Sequence, residues 1–191
     1  MATNFPGGVE IAGVNSDTGR AITTKNVGTV GTGVTAIEMG DGINHTTILT
    51  LTGVAFTIGD TADLGDGALI YTLPAGACII NSTHSSVGLT LTTGTPTTDT
   101  PEVGLGSVIA TGAIATLGAG ATTMEDIAGP AVMDDAAGTA EVFSSAPGFV
   151  MNTGGVHLVH LNIADGWANV DNTAATAAGT VVLNWTFLAL A

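Results

Sequence analysis

Six groups of residues have types and spacings that could do chemistry. His157-Leu158-Val159-His160 has a separation associated with metal binding, His84-Ser85-Ser86 sets a hydroxyl beside an imidazole, and Glu125-Asp126 and Asp134-Asp135 are paired acids of the kind glycosidases use. Asp60, Asp63 and Asp66 form an acidic loop, and Cys78 is a lone thiol. Each suggestion fails on its own terms. The histidines lie in an apolar run that reads as a strand, where residues three apart point to opposite faces and cannot share one ion, so they read as core-edge or surface histidines. His84-Ser85-Ser86 lacks a nucleophile elbow and a third partner. Grooves for sugars present aromatic platforms, and only Trp167, Trp185 and Tyr71 are on offer. The acidic loop lacks the alternating ligands and closing Glu of a calcium-binding loop and reads as solvated. Cys78, within Ala77-Cys78-Ile79-Ile80, reads as a small buried hydrophobe. No enzyme, metal or cofactor is expected.

The elements that would position these groups are strands. Pro101–Pro130 carries Val103, Leu105, Val108, Ile109, Ile114 and Leu117 spaced by Gly, Ala, Ser and Thr, with no charge between Glu102 and Glu125. Its glycines would each cost a helix roughly 0.5–1 kcal/mol, so the stretch reads as short strands and glycine turns deep in an all-β body. Val34–Met39, Thr46–Ile58, Ala68–Leu73, Val156–Ile163 and Thr180–Leu190 alternate or run apolar as strands do. Within Thr46–Ile58 the apolar phase slips at Thr52-Gly53, the mark of a β-bulge. Eight to ten strands with short connections predict an antiparallel β-sandwich of jelly-roll type over residues 34–191, preceded by an extended N-terminal arm, residues 1–33. The expected core includes Leu49, Leu51, Val54, Phe56, Ile70, Val108, Ile109, Ile114, Leu158, Val181, Leu183 and Trp185.

Charge is the most informative part of the composition. The 191 residues carry a formal net charge of -14, with Arg20 and Lys25 the only basic residues. A body without Lys or Arg cannot neutralise phosphates, which argues against nucleic acid and against anionic membranes as partners. No apolar run reaches 18 residues, and the N-terminus shows neither the basic nor the apolar region of a secretory signal, so a soluble product of the host cytoplasm is expected. Both cations sit in the arm. Phe5, Pro6, Val9 and Ile11 supply apolar groups beside Arg20 and Lys25, and these six are the expected partner-binding residues, with residues 34–191 displayed.

Leu73-Pro74-Ala75-Gly76-Ala77, Val103–Ala113, Met124-Glu125-Asp126-Ile127 and the ending Gly179–Phe187 resemble a set of proteins encoded among the head genes of tailed bacteriophages, many from marine hosts. The resemblance covers roughly residues 45–190 and rests on apolar strand and turn sequences. It implies a virion structural protein, a capsid decoration or cement protein on the outer surface of the head, bound to the major capsid protein as a homotrimer. The alternatives are a tail or head-fibre component that binds a receptor or glycan, and a bacterial surface-layer or adhesin module.

Overall fold

The computed structural model describes residues 11–14, 21–23, 28–40, 43–58, 64–91, 101–120, 124–133, 140–145, 149–151, 156–164 and 173–189. The described chain is all-β. Its thirteen strands are β1 (Ile11–Val14), β2 (Ala21–Thr23), β3 (Thr29–Val30), β4 (Val34–Gly40), β5 (Asn44–Ile58), β6 (Asp66–Leu73), β7 (Ala77–Leu91), β8 (Glu102–Gly106), β9 (Ala128–Val132), β10 (Ala140–Ser145), β11 (Phe149–Met151), β12 (His157–Ala164) and β13 (Thr173–Ala189). A single helical turn, Leu117–Gly120, interrupts the pattern.

The strands form two main antiparallel sheets. The first has the order β10-β7-β13-β5-β4, with β11 also paired to β7, and the second β3-β6-β12-β8-β9. A separate two-stranded ladder joins β1 to β2. The pleat sorts the side chains: in β13, Val181, Leu183, Trp185 and Phe187 are buried, while Thr180 and Leu188 in the other phase are exposed. One apolar cluster draws on both sheets, with Leu49, Leu51, Val54 and Phe56 from β5, Ile70 and Leu73 from β6, Val103 and Leu105 from β8, and Val159, Leu161 and Ile163 from β12. Nine of the twelve expected core residues are buried, Ile114 in a smaller cluster of its own.

The phase slip foreseen at Thr52-Gly53 is a bulge. Ala177 pairs with Val54 and Ala178 with Thr52, so Gly53 is the extra residue, at φ 87°. Three core expectations are corrected: Val108, Ile109 and Leu158 are 43%, 39% and 36% exposed. For Val108 and Ile109 the reason lies in Pro101–Pro130, where β8 and β9 are the only strands among the described residues and Ser107–Thr116 is irregular, whereas Leu158 stands in the outward phase of β12. That segment crosses the outer side of the second sheet instead of entering the core. Residues 28–33, read from sequence as part of the arm, are tied to the body. β3 pairs with Thr72 and Tyr71, Gly31 N–H donates to Ile70 O, and Thr52 N–H donates to Gly33 O.

Candidate functional site

The densest chemistry lies where the inner side of the first sheet meets Tyr71 of the second. β4 places Glu38 in the phase of buried Val34, and β5 places His45 and Thr47 in the phase of buried Leu49 and Leu51. Glu38 Oε1 accepts from His45 Nδ1 at 2.9 Å, while Oε2 accepts from Thr47 Oγ1 at 2.9 Å and from Tyr71 Oη at 2.8 Å. Two further donors lock the partners in turn: Trp185 Nε1 donates to Thr47 Oγ1 at 2.8 Å and Gly28 N–H to Tyr71 Oη at 2.9 Å. The His45 ring stacks on Trp185 with centroids 4.0 Å apart and planes 9° from parallel. Every hydrogen-bonded chain of donors thus ends on one carboxylate, and bonds to a charged acceptor are the strong ones. Three fixed donors hold the two carboxylate oxygens, and His45 Nε2 is buried without a hydrogen-bond partner among the described residues. This arrangement holds the carboxylate in place and couples the sheets.

Burial, with Glu38 second, pushes the Tyr71 phenol well above its usual range. A pKa raised in the folded state gives stability that is fully present below the unfolded value, about 10, and is lost as pH rises beyond it. Tyr71 is the chain's one tyrosine, so phenolate absorbance reports it alone. We expect its ionisation to be delayed until the protein unfolds in alkali. Tyr71→Phe should cost about 1–2 kcal/mol at neutral pH and flatten the alkaline fall in stability. Burial also pushes the Cys78 thiol up to about 11, with the same sign, so the comparison is between the variant and the parent. A phenolate that forms in the native state at an ordinary pH would contradict the network.

A second polar centre lies on the opposite side of the second sheet. Asn162 in β12 is fully buried, in the opposite phase from Leu161 and Ile163. Its Oδ1 accepts from Ala110 N–H at 2.9 Å, and its Nδ2 donates to Val108 O at 2.9 Å and Met124 O at 2.7 Å. Ala110, Ile114, Leu117 and Ala164 form a small apolar cluster beside it. The carboxylates here close the loop. Asp126 accepts from Ser107 N–H and Oγ, and Glu102 Oε2 accepts from Leu117 N–H. Burial raises Glu125, with the Glu102 charge adding to it, and burial raises Asp126 against the opposing bonds from Ser107.

The groups singled out from sequence fall apart in space. His84 is exposed on the outer side of β7 while Ser85 is fully buried on the inner side. His157 and His160 are both buried rather than at the surface. Nε2 of His157 donates to Gly76 O at 2.7 Å, and burial lowers His160 against backbone hydrogen bonding at Gly106 and Ser107. Asp66 accepts from Thr57 N–H and Gly67 N–H, binding the end of β5 to β6. Asp60, Asp63, Asp134, Asp135 and Trp167 lie outside the described residues, as do Phe5, Pro6, Val9, Arg20 and Lys25 of the expected partner-binding set. Ile11 is in β1, opposite Thr23. Neither Glu38–His45 nor Asn162 was singled out from sequence. The available signal was phase: Glu38 follows Val34 and Ala36, and His45 precedes Leu49 and Leu51, each at an even spacing on the inward side. Comparison with known proteins finds no matching family model, no matching curated protein and no matching solved structure.

Proposed function

We propose that this chain is a non-catalytic virion structural protein of the head-decoration type, displayed on the outer surface of a phage capsid and bound to its major capsid protein. The likeness of its strand and turn sequences to phage head proteins suggests the particle. The observation that carries the structural half of the reading is strand order. Leaving β11 aside, from β5 onward the chain alternates between sheets: β5 in the first, β6 in the second, β7 in the first, β8 and β9 in the second, β10 in the first, β12 in the second, β13 in the first. This interleaving, β10-β7-β13-β5 beside β9-β8-β12-β6, supports a jelly-roll sandwich, an architecture that recurs in capsid proteins. Its chemistry fits too, because Glu38 and Asn162 spend their hydrogen bonds on holding the fold together.

Attachment is assigned to the N-terminal arm, whose Arg20 and Lys25 are the only basic residues of an otherwise acidic sequence. Because Gly28 donates to Tyr71, the informative truncation removes residues 1–27 and leaves that bond in place. We expect the truncated protein to keep its thermal transition within a few degrees and to lose its place on heads in a particle-binding assay. Labelled full-length protein should appear in hundreds of copies over the head. A handful of copies at the tail would discard the decoration reading, and undiminished binding of the truncated protein would move attachment to the acidic body.

A further inference from the structure

The outer side of the first sheet is unlike the rest of this acidic chain. Strands β4, β5, β7 and β13 contain no Lys or Arg and a single carboxylate, Glu38, which points inward to His45, Thr47 and Tyr71. Their outward residues therefore include no Asp, Glu, Lys or Arg in a protein of net charge -14, and His84 is their one exposed imidazole. One register row across this face is Ile37, Ile48, Val182 and His84, and Ile37 is 62% exposed. Beside it the outward polar groups are already engaged sideways. Thr46 Oγ1 donates to Asn184 Oδ1 at 2.9 Å, Asn184 Nδ2 to Ser82 Oγ at 3.0 Å, and Asn81 Nδ2 to Thr186 Oγ1 at 2.8 Å.

We propose that this face is where two copies of the chain meet. Three arguments converge on a second copy as the occupant. Any contact between two acidic bodies is opposed wherever carboxylates would be brought together, and this face brings none. Five of its polar side chains, Thr46, Asn81, Ser82, Asn184 and Thr186, are held by cross-strand hydrogen bonds, so packing these costs less rotamer entropy than packing free ones. Its size also fits. The β5–β13 and β13–β7 ladders each run fourteen register pairs, and β4 adds seven more residues along one side. At about 3.3 Å per residue and 4.8 Å per strand the face measures roughly 750–800 Å², close to the 800 Å² or so per partner of a standard interface. Two like faces packed together are related by a two-fold axis, so the pair is a dimer, not the trimer that the resemblance to phage head proteins implies. The inference stands apart from attachment to a capsid.

The test is mass in solution for the full chain and three single variants. Thr50 and Thr180 are exposed register partners on this face, whereas Thr111 is exposed on the loop across the other sheet. Sedimentation of the parent should give twice 18.7 kDa at micromolar concentration. The dimer should tighten as salt rises from low to physiological, because screening relieves repulsion between the bodies while the contact itself holds no ion pair to weaken. Thr50→Asp and Thr180→Asp should each weaken dimerisation by tenfold or more with unchanged circular dichroism, and Thr111→Asp should leave it as it is. A parent that stays monomeric at high concentration overturns the proposal. So does a trimer, or a dimer that both face variants leave intact while folded.

Discussion

Asn162→Ala should cost about 2–4 kcal/mol, equivalent to a fall in melting temperature of roughly 4–16 °C for a chain of this size. The side chain is fully buried and saturates three backbone groups at once, Ala110 N–H, Val108 O and Met124 O. Alanine leaves all three without that partner, and the buried Ala110 N–H bears the full desolvation penalty. The bond pattern also fixes an order among substitutions. Asn162→Asp keeps the acceptor for Ala110 but sets an oxygen where Nδ2 faced two carbonyl oxygens, so it should be worse than alanine despite its closer shape. The loss should be local first: amide exchange should rise across Ser107–Ile127, while β13 and its neighbours stay protected until global unfolding. A cost below about 1 kcal/mol, or aspartate tolerated better than alanine, would show that the loop is held by the Ile114 and Leu117 packing alone.

What was legible in the sequence follows from where periodicity carries information. The inward set of β13, Val181 to Phe187, and the glycine at the slip in β5 were readable because alternation and its interruption are properties of the chain itself. Val108 and Ile109 were misplaced because an apolar, glycine-rich segment looks the same whether it enters the main core or lies across the back of a sheet. The residue that decides between those positions, Asn162, is more than thirty residues away in sequence. Leu158 failed differently. It has the composition of a core residue but stands in the phase opposite Val159's neighbours Leu161 and Ile163, on a strand whose outer side is covered only from His160 onward. Glu38 and His45 escaped because a charge on a strand is read as solvated, whereas here the inward phase and three converging donors keep it inside. Ala175 and Ala177 of β13 fall before the Thr180–Leu190 strand expected from sequence, since an Ala/Thr run has weak strand propensity, yet they are buried where β13 pairs with β5 and β7.

Gly179→Ala should be among the most damaging single-methyl changes at the described residues, abolishing folding or costing more than about 4 kcal/mol. Gly179 lies in β13 between Leu51 of β5 and Val87 of β7, with ladders on both sides. Its φ of 145° is one that side chains rarely adopt, and a Cβ built there would meet Ser86 O at 2.1 Å and Val87 Cα at 3.0 Å. Both obstacles are backbone, so no rotamer change relieves them. The strands would have to part at the middle of the first sheet, above Val181 and Leu49 in the core. Gly53→Ala separates strain from crowding, because Gly53 also has a positive φ, 87°, but nothing lies within 4 Å of the added carbon. That variant should fold and lose only about 1–2 kcal/mol, the cost of left-handed backbone for a residue with a Cβ. Denaturant unfolding of the two variants side by side tests the ranking, and a Gly179→Ala protein as stable as Gly53→Ala would mean that β13 and β7 do not approach at Ser86 as described.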